Sequence, residues 1–158
     1  MSSSAESDLL QQAVDLATTN VDAGGGPFGA VIVTAGGRRF EGVNRVTANH
    51  DPTAHAEVAA IREACRQLGR HELHGAVLYA SCEPCPMCLA AALWARIERV
   101  VFAAGRDDAT RAGFDDAMIY EFFESPIHRG RLPTAQHRHM EAIAPFEAWR
   151  AHEGRIEY

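Results

Sequence analysis

Two short stretches carry residues able to hold a metal and move protons. "TAHAEVAAIREA", from Thr53, sets His55 and Glu57 two residues apart at the start of a helical pattern. "SCEPCPMCLAAALWAR", from Ser81, repeats cysteine at every third position: Cys82, Cys85 and Cys88. His55, Cys85 and Cys88 together offer one imidazole and two thiols. A Cys-x-x-Cys pair at a helix start puts both sulfurs on one side of the first turn, where free N–H groups and the helix dipole favour thiolate over thiol. Two thiolates and an imidazole suit Zn²⁺, and three protein ligands leave one tetrahedral position for water, as in a catalytic site. Because two thiolates neutralise the dication, that water needs help to ionise. Glu57 can sit beside the metal without ligating it, take the proton, and later hand it to a leaving group.

Other readings share these residues. A Cys-x-x-Cys pair after the first strand of a βαβ unit also serves thioredoxin-like redox sites. An iron–sulfur run of the form Cys-x₂-Cys-x₂-Cys-x₃-Cys would need its fourth ligand at position 92, which is Ala92. A closed structural zinc site could take Cys82 as fourth ligand, but it leaves Glu57 without a role. Cys82 otherwise reads as a buried thiol at a strand end. Cys65 lies on the apolar face of its helix and reads as core.

The elements that must position these groups are legible in outline. The chain has 158 residues, 47% hydrophobic and 23% charged, which suits one domain with a core of its own. Asp8 to Val21 repeats apolar residues at helical spacing, with Asp8, or Ser7 nearly as well, as N-cap. "AGGGP" breaks it. "FGAVIVT" and "RRFEGVNRV" form a hairpin across "AGG", and "ANHDPT" is a loop with Thr53 placed to cap a helix over Ala54–Leu68 that Gly69 closes. "AVLYAS" is a short buried strand. Pro86 sits early in a helix through "MCLAAALWARI", and "RVVFAA" is the next strand. The order α–β–β–α–β–α–β favours a sheet covered on both faces. Beyond Gly105 the pattern suggests a loop and a helix over "DDATRAGFDDAMIYEFF", a last strand at "QHRHMEAI", a closing helix at "PFEAWRAHE" and a tail "GRIEY".

Composition narrows the partners. Net charge is −6 with a pI near 5.7, and the basic clusters are short, so neither a nucleic-acid nor a membrane partner is expected. No apolar run approaches the ~18 residues of a membrane span. "MSSSAESDLL" lacks a basic region followed by an apolar stretch, and the clustered cysteines suit a reducing compartment, so the expected location is cytoplasmic.

"HAE" followed by "PCPMC" resembles the signature of the zinc-dependent cytidine deaminase-like superfamily. The resemblance implies a three-layer α/β/α fold with a mixed central sheet, His55, Cys85 and Cys88 as zinc ligands, and Glu57 as proton shuttle. "GGGPFGAVIV", "DPTAHAEVAAIR", "SCEPCPMCL", "WAR", "AGFDDAMIY", "PFEAWR" and the closing "EY" are similar to the short bacterial guanine deaminases. "AGFDD" and the closing tyrosine are the discriminating parts, since the zinc motifs are common to the relatives. This narrower resemblance implies that Asn44 and the backbone at Ala56 hold a purine base. Phe28 and Trp94 would wall the pocket, and Asp116 and Tyr158 would close it. It further implies one zinc-dependent deaminase domain over 1–158, acting as a homodimer in which the segment 145–158 crosses to the partner. The rival activity is deamination of a nucleoside (guanosine, cytidine or adenosine). The rival outside catalysis is a zinc-stabilised binding module.

Overall fold

A computed structural model describes residues 3–125, 130–137 and 139–158. The chain divides into two compact units, Met1–Ala117 and Met118–Tyr158.

The first unit is built on a four-stranded sheet. Its elements are α1 (Ser3–Asp22), β1 (Gly29–Val33), β2 (Arg39–Val43), α2 (Val46–Asn49), α3 (Ala56–Leu68), β3 (Val77–Cys82), α4 (Pro86–Trp94), β4 (Arg99–Ala104) and α5 (Arg106–Arg111). The strand order is β2-β1-β3-β4. β1 runs antiparallel to both β2 and β3, while β3 and β4 are parallel, so the sheet is mixed. Alternation along the strands feeds two separate cores. Ala30, Ile32, Phe40 and Leu78 pack with Ala56, Ala60, Ile61 and Ala64 of α3 and Ala92 of α4. Val31, Val33 and Tyr79 pack on the other side with Leu9 and Ala13 of α1. The unit is therefore three layers, and β1 is buried along its whole length because both of its faces are covered.

Several element ends differ from the sequence expectation, each for a local reason. α1 starts at Ser3 rather than Asp8, its added turn tied down by an ion pair from Glu6 to Arg99 of β4. The buried stripe of α1 ends on Asn20, at 4% exposure, while Val21 is 50% exposed. β2 stops at Val43, because the Arg45 N–H turns away to the Ala54 carbonyl at 2.9 Å. The "ANHDPT" loop holds the short helix α2, which His50 ends in the left-handed region at φ 50°. α4 stops at Trp94 rather than running on to Ile97. Arg96 adopts φ 57°, and the Arg96 and Ile97 N–H groups fold back to the carbonyls of Leu93 and Ala92, each at 3.0 Å. α5 replaces the expected loop, with the Asp108 carboxylate accepting the Gly105 N–H at 2.9 Å.

The second unit holds α6 from Met118 onward (the helix spans Ala117–Glu124) and α7 (Ala144–Ala151). The strand expected at Gln136–Ile143 is not found among the described residues, and Arg138 lies outside them. Ala142 and Ala144 instead donate to the carbonyls of His139 and Glu141, which closes a turn leading into α7. Trp149 and Tyr158 meet edge to face at 6.3 Å. No helix among the described residues is long and apolar enough to cross a membrane.

Candidate active site and zinc centre

The His55 side chain is set by the segment that enters α3. The Asp51 carboxylate accepts from the Thr53 N–H at 2.8 Å and from the Thr53 hydroxyl at 2.7 Å, with the Arg62 guanidinium at 3.4 Å. These partners, the Thr53 hydroxyl first, hold the Asp51 carboxyl below the usual carboxylate range. Thr53 is thus engaged behind the helix and does not cap it. α3 begins at Ala56, with His55 in the extended N-cap conformation and its imidazole making no cap bond. Gly42 of β2 lets the helix start sit close: a Cβ there would lie 2.2 Å from the Ala56 carbonyl oxygen and 2.4 Å from the Ala60 nitrogen.

Cys85 is the N-cap of α4 and Pro86 opens its first turn. The preceding loop is pinned to the sheet and to α5. The Glu83 N–H donates to the Ala104 carbonyl at 2.8 Å, and the Glu83 carboxylate accepts the Arg106 N–H at 3.1 Å. Cys88, one turn into α4, is fully buried.

These two helix starts bring three donor atoms together. Nδ1 of His55 lies 3.6 Å from the Cys85 sulfur and 3.5 Å from the Cys88 sulfur, and the two sulfurs are 3.6 Å apart. Tetrahedral zinc with ordinary Zn–S and Zn–N bonds spaces its ligands about 3.8 Å for S···S and about 3.6 Å for S···N. The donor set and its spacing fit a zinc ion. Among the described residues this is the group of His, Cys, Asp and Glu side chains gathered closely enough to hold a metal.

The close approach of these groups makes them perturb one another. Hydrogen bonds from Cys88 and His55 hold the Cys85 thiol down at about 4. The neighbouring Cys85, with burial and Glu57, pushes the Cys88 thiol far up. His55 is raised, chiefly by its bond with Cys85. Glu57 is buried beside Cys88, and that burial raises its carboxyl above the ordinary range. Asp116 is raised too, first by burial and then by the field of Cys85, with Arg106 opposing. The first acid of "AGFDD", Asp115, is used locally: its carboxylate accepts the Ala117 N–H at 2.9 Å.

The remaining expected site residues are distributed as follows. Ala56 is fully buried at the first turn of α3. Asn44 is 8% exposed, and the neighbouring Arg45 N–H bonds the loop that carries His55. Phe28 is half-buried and meets Phe114 edge to face at 5.0 Å and 86°. Trp94 is not gathered with the trio. It closes the far end of α4 at 64% exposure, beside Ala90, Leu93 and Arg96, about 9 Å along the axis from Cys88 at 1.5 Å per residue. Tyr158 is 74% exposed and belongs to the second unit. Cys82 points its thiol at the Gly105 carbonyl, 3.7 Å away, rather than joining the metal donors, and Cys65 packs against the core. Phe114 and Asn20 carry contacts at these residues that motif reading passed over. Phe114 was visible only as the aromatic inside "AGFDD", and Asn20 only as a polar break in an apolar stripe.

Residues 3–104 match the family described as the cytidine and deoxycytidylate deaminase zinc-binding region. The sequence is 51% identical to a guanine deaminase of Bacillus subtilis, over 95% of this chain and 97% of that one. A crystal structure of guanine deaminase from Bacillus subtilis superposes with a TM-score of 0.91 at 49% identity, covering 100% of this chain and 99% of that one. A guanine deaminase structure from Nitrosomonas europaea gives 0.64 at 32% identity, over 68% of this chain and 63% of that one. A tRNA-specific adenosine deaminase of Aquifex aeolicus is 49% identical, but only over 49% of this chain and 52% of that one. The matched zinc-binding region and the near end-to-end identity lead to one conclusion: this chain belongs to the zinc-binding cytidine and deoxycytidylate deaminase family.

Proposed function

We propose that the protein is a zinc-dependent guanine deaminase, hydrolysing guanine to xanthine and ammonia. The observation that carries the substrate is the 51% identity to a guanine deaminase over 95% of the chain, well beyond the shared zinc motifs. His55, Cys85 and Cys88 would hold the ion. Bound there, zinc supplies the Lewis acidity that makes water a nucleophile near neutral pH.

The chain's own residues do the rest. A carboxylate oxygen of Glu57 accepts one proton of the attacking water. Glu57 passes it to the ring nitrogen beside the amine-bearing carbon, then takes the second proton from the hydroxyl that the attack leaves on that carbon and delivers it to the amine, whose C–N bond breaks as the hydroxyl becomes the product carbonyl. Its burial suits a group that must carry each proton from oxygen to nitrogen without losing it to bulk water. Asn44 and the Ala56 backbone position the purine edge, Phe28 backed by Phe114 walls the ring, and Asp116 accepts from purine N–H groups. A base lacking those groups leaves buried polar atoms unpaired, which is how such a pocket discriminates.

Trp94 and Tyr158 take their assigned places in a homodimer whose segment 145–158 crosses to the partner. Exposed apolar side chains support the dimer: Leu93 at 71%, Trp94 at 64%, Phe146 at 65% and Ile156 at 69%. Four free cysteines suit the reducing cytoplasm, where we place the protein. The activity is tested by ammonia release from guanine, guanosine, cytidine and adenosine. Guanine should show the highest kcat/KM and yield xanthine. A nucleoside favoured by tenfold or more would move the assignment to the rival activity, and no release from any of them would favour the binding module.

A further inference from the structure

We propose that Asn20 is a positioning residue for the reaction: its buried amide clamps the glycine loop to the end of β2 and so aims the Asn44 side chain at the substrate. This rests on the substrate role assigned to Asn44 above.

α1 buries Leu9, Ala13 and Ala17 against the sheet, and the next position of that stripe is Asn20 at 4% exposure, although Val21 beside it stays outside. Burying an amide is unfavourable unless its hydrogen bonds are made. Nδ2 of Asn20 donates to the Gly26 carbonyl at 2.8 Å and to the Asn44 carbonyl at 2.7 Å. One side chain thus ties two segments that are distant in sequence.

The glycines between them leave room for nothing else. A Cβ at Gly25 would lie 2.3 Å from Nδ2 of Asn20, and one at Gly26 would lie 2.8 Å from Oδ1 of Asn44. Asn20, the loop backbone and Asn44 are therefore stacked in direct contact. Oδ1 of Asn44 accepts the Val46 N–H at 3.3 Å, which fixes which way its amide faces. With Oδ1 so engaged, the N–H₂ end of the amide is the end turned to the ligand, beside the loop that carries His55. Loosening Asn20 would free the carbonyl end of Asn44 and blur that orientation.

The test is a double-mutant cycle on guanine turnover by zinc-loaded protein, with zinc content and Tm measured on every variant. Asn20→Leu removes both donors while continuing the apolar stripe of α1. Loss of two hydrogen bonds should raise KM about tenfold, with zinc content unchanged and kcat much less affected. In an Asn44→Ala background, Asn20→Leu should add less than about twofold, because the residues act as one unit. Wild-type kinetics in Asn20→Leu, or a loss that multiplies in full onto that of Asn44→Ala, would overturn the proposal while leaving Asn44 in place. An unchanged KM in Asn44→Ala would remove the substrate contact itself, and the proposal with it, without touching guanine turnover by the wild type. Should Asn20→Leu fail to fold, Gly26→Ala reaches Asn44 from the other side. It should show the same rise in KM, and a wild-type KM there would overturn the proposal.

Discussion

Burial sets the Glu57 carboxyl above its ordinary value of 4.5, which gives a pH signature separate from catalysis. A carboxyl whose folded pKa is raised contributes stability that is complete below its unfolded pKa and is lost as pH rises through the folded value. In zinc-depleted protein, Glu57→Gln should therefore raise Tm at pH 7 to 8, and the gain should vanish near pH 4. A pH-independent difference would mean that Glu57 is not held in a desolvated place. Cys85→Ser should lose most of its zinc by elemental analysis, because it removes one of three converging donors. Full zinc retention would contradict the ligand set. Such residues were legible from spacing: His55 with Glu57, and Cys85 with Cys88, are close in sequence and their chemistry is specific. Asn20 and Phe114 were not. Their partners stand 24 residues away at Asn44 and 86 away at Phe28, by the numbering of the chain, and nothing local marks them.

At the scale of elements, strand positions followed from apolar patterning, and β4 was placed at Arg99–Ala104 as the "RVVFAA" run suggested. Helix ends were less legible because side chains compete for the same backbone groups. Thr53 is a good N-cap by type, yet Asp51 claims it, and α3 starts two residues later than expected. That shift puts His55 at the cap, where its imidazole is free to face Cys85 and Cys88. The close seating of α3 on β2 then becomes a condition of the metal site. Gly42→Ala would force the helix start away from the strand, at a cost of ~1–3 kcal/mol for overpacking. Thermal denaturation should show the lower Tm, and zinc titration a weaker affinity. A variant with wild-type Tm and zinc affinity would show that α3 can shift without moving His55.

For the whole molecule, the first unit was readable because its periodicities are strong, whereas Met118–Tyr158 offered short amphipathic pieces whose partners the pattern does not name. An expected strand became a turn there, since "QHRHMEAI" lacks clean alternation. The proposed crossing of this segment to a partner chain has its own test. Removing residues from Gly154 onward should leave zinc bound and cut activity sharply. Co-expressing that truncation with Glu57→Gln chains should restore activity, because a crossed tail gives each mixed dimer one site with an intact Glu57 and an intact tail. No rescue in verified mixed dimers would count against the crossing. In the proposed reaction His55, Cys85 and Cys88 hold a zinc ion whose water Glu57 turns on guanine. Ammonia and xanthine released from guanine, measured with wild-type and Glu57→Gln proteins of equal zinc content, test it. The wild type should give equimolar xanthine and ammonia, and the variant a rate at least ~100-fold lower. Turnover within a fewfold of wild type in the zinc-loaded Glu57→Gln protein would contradict it.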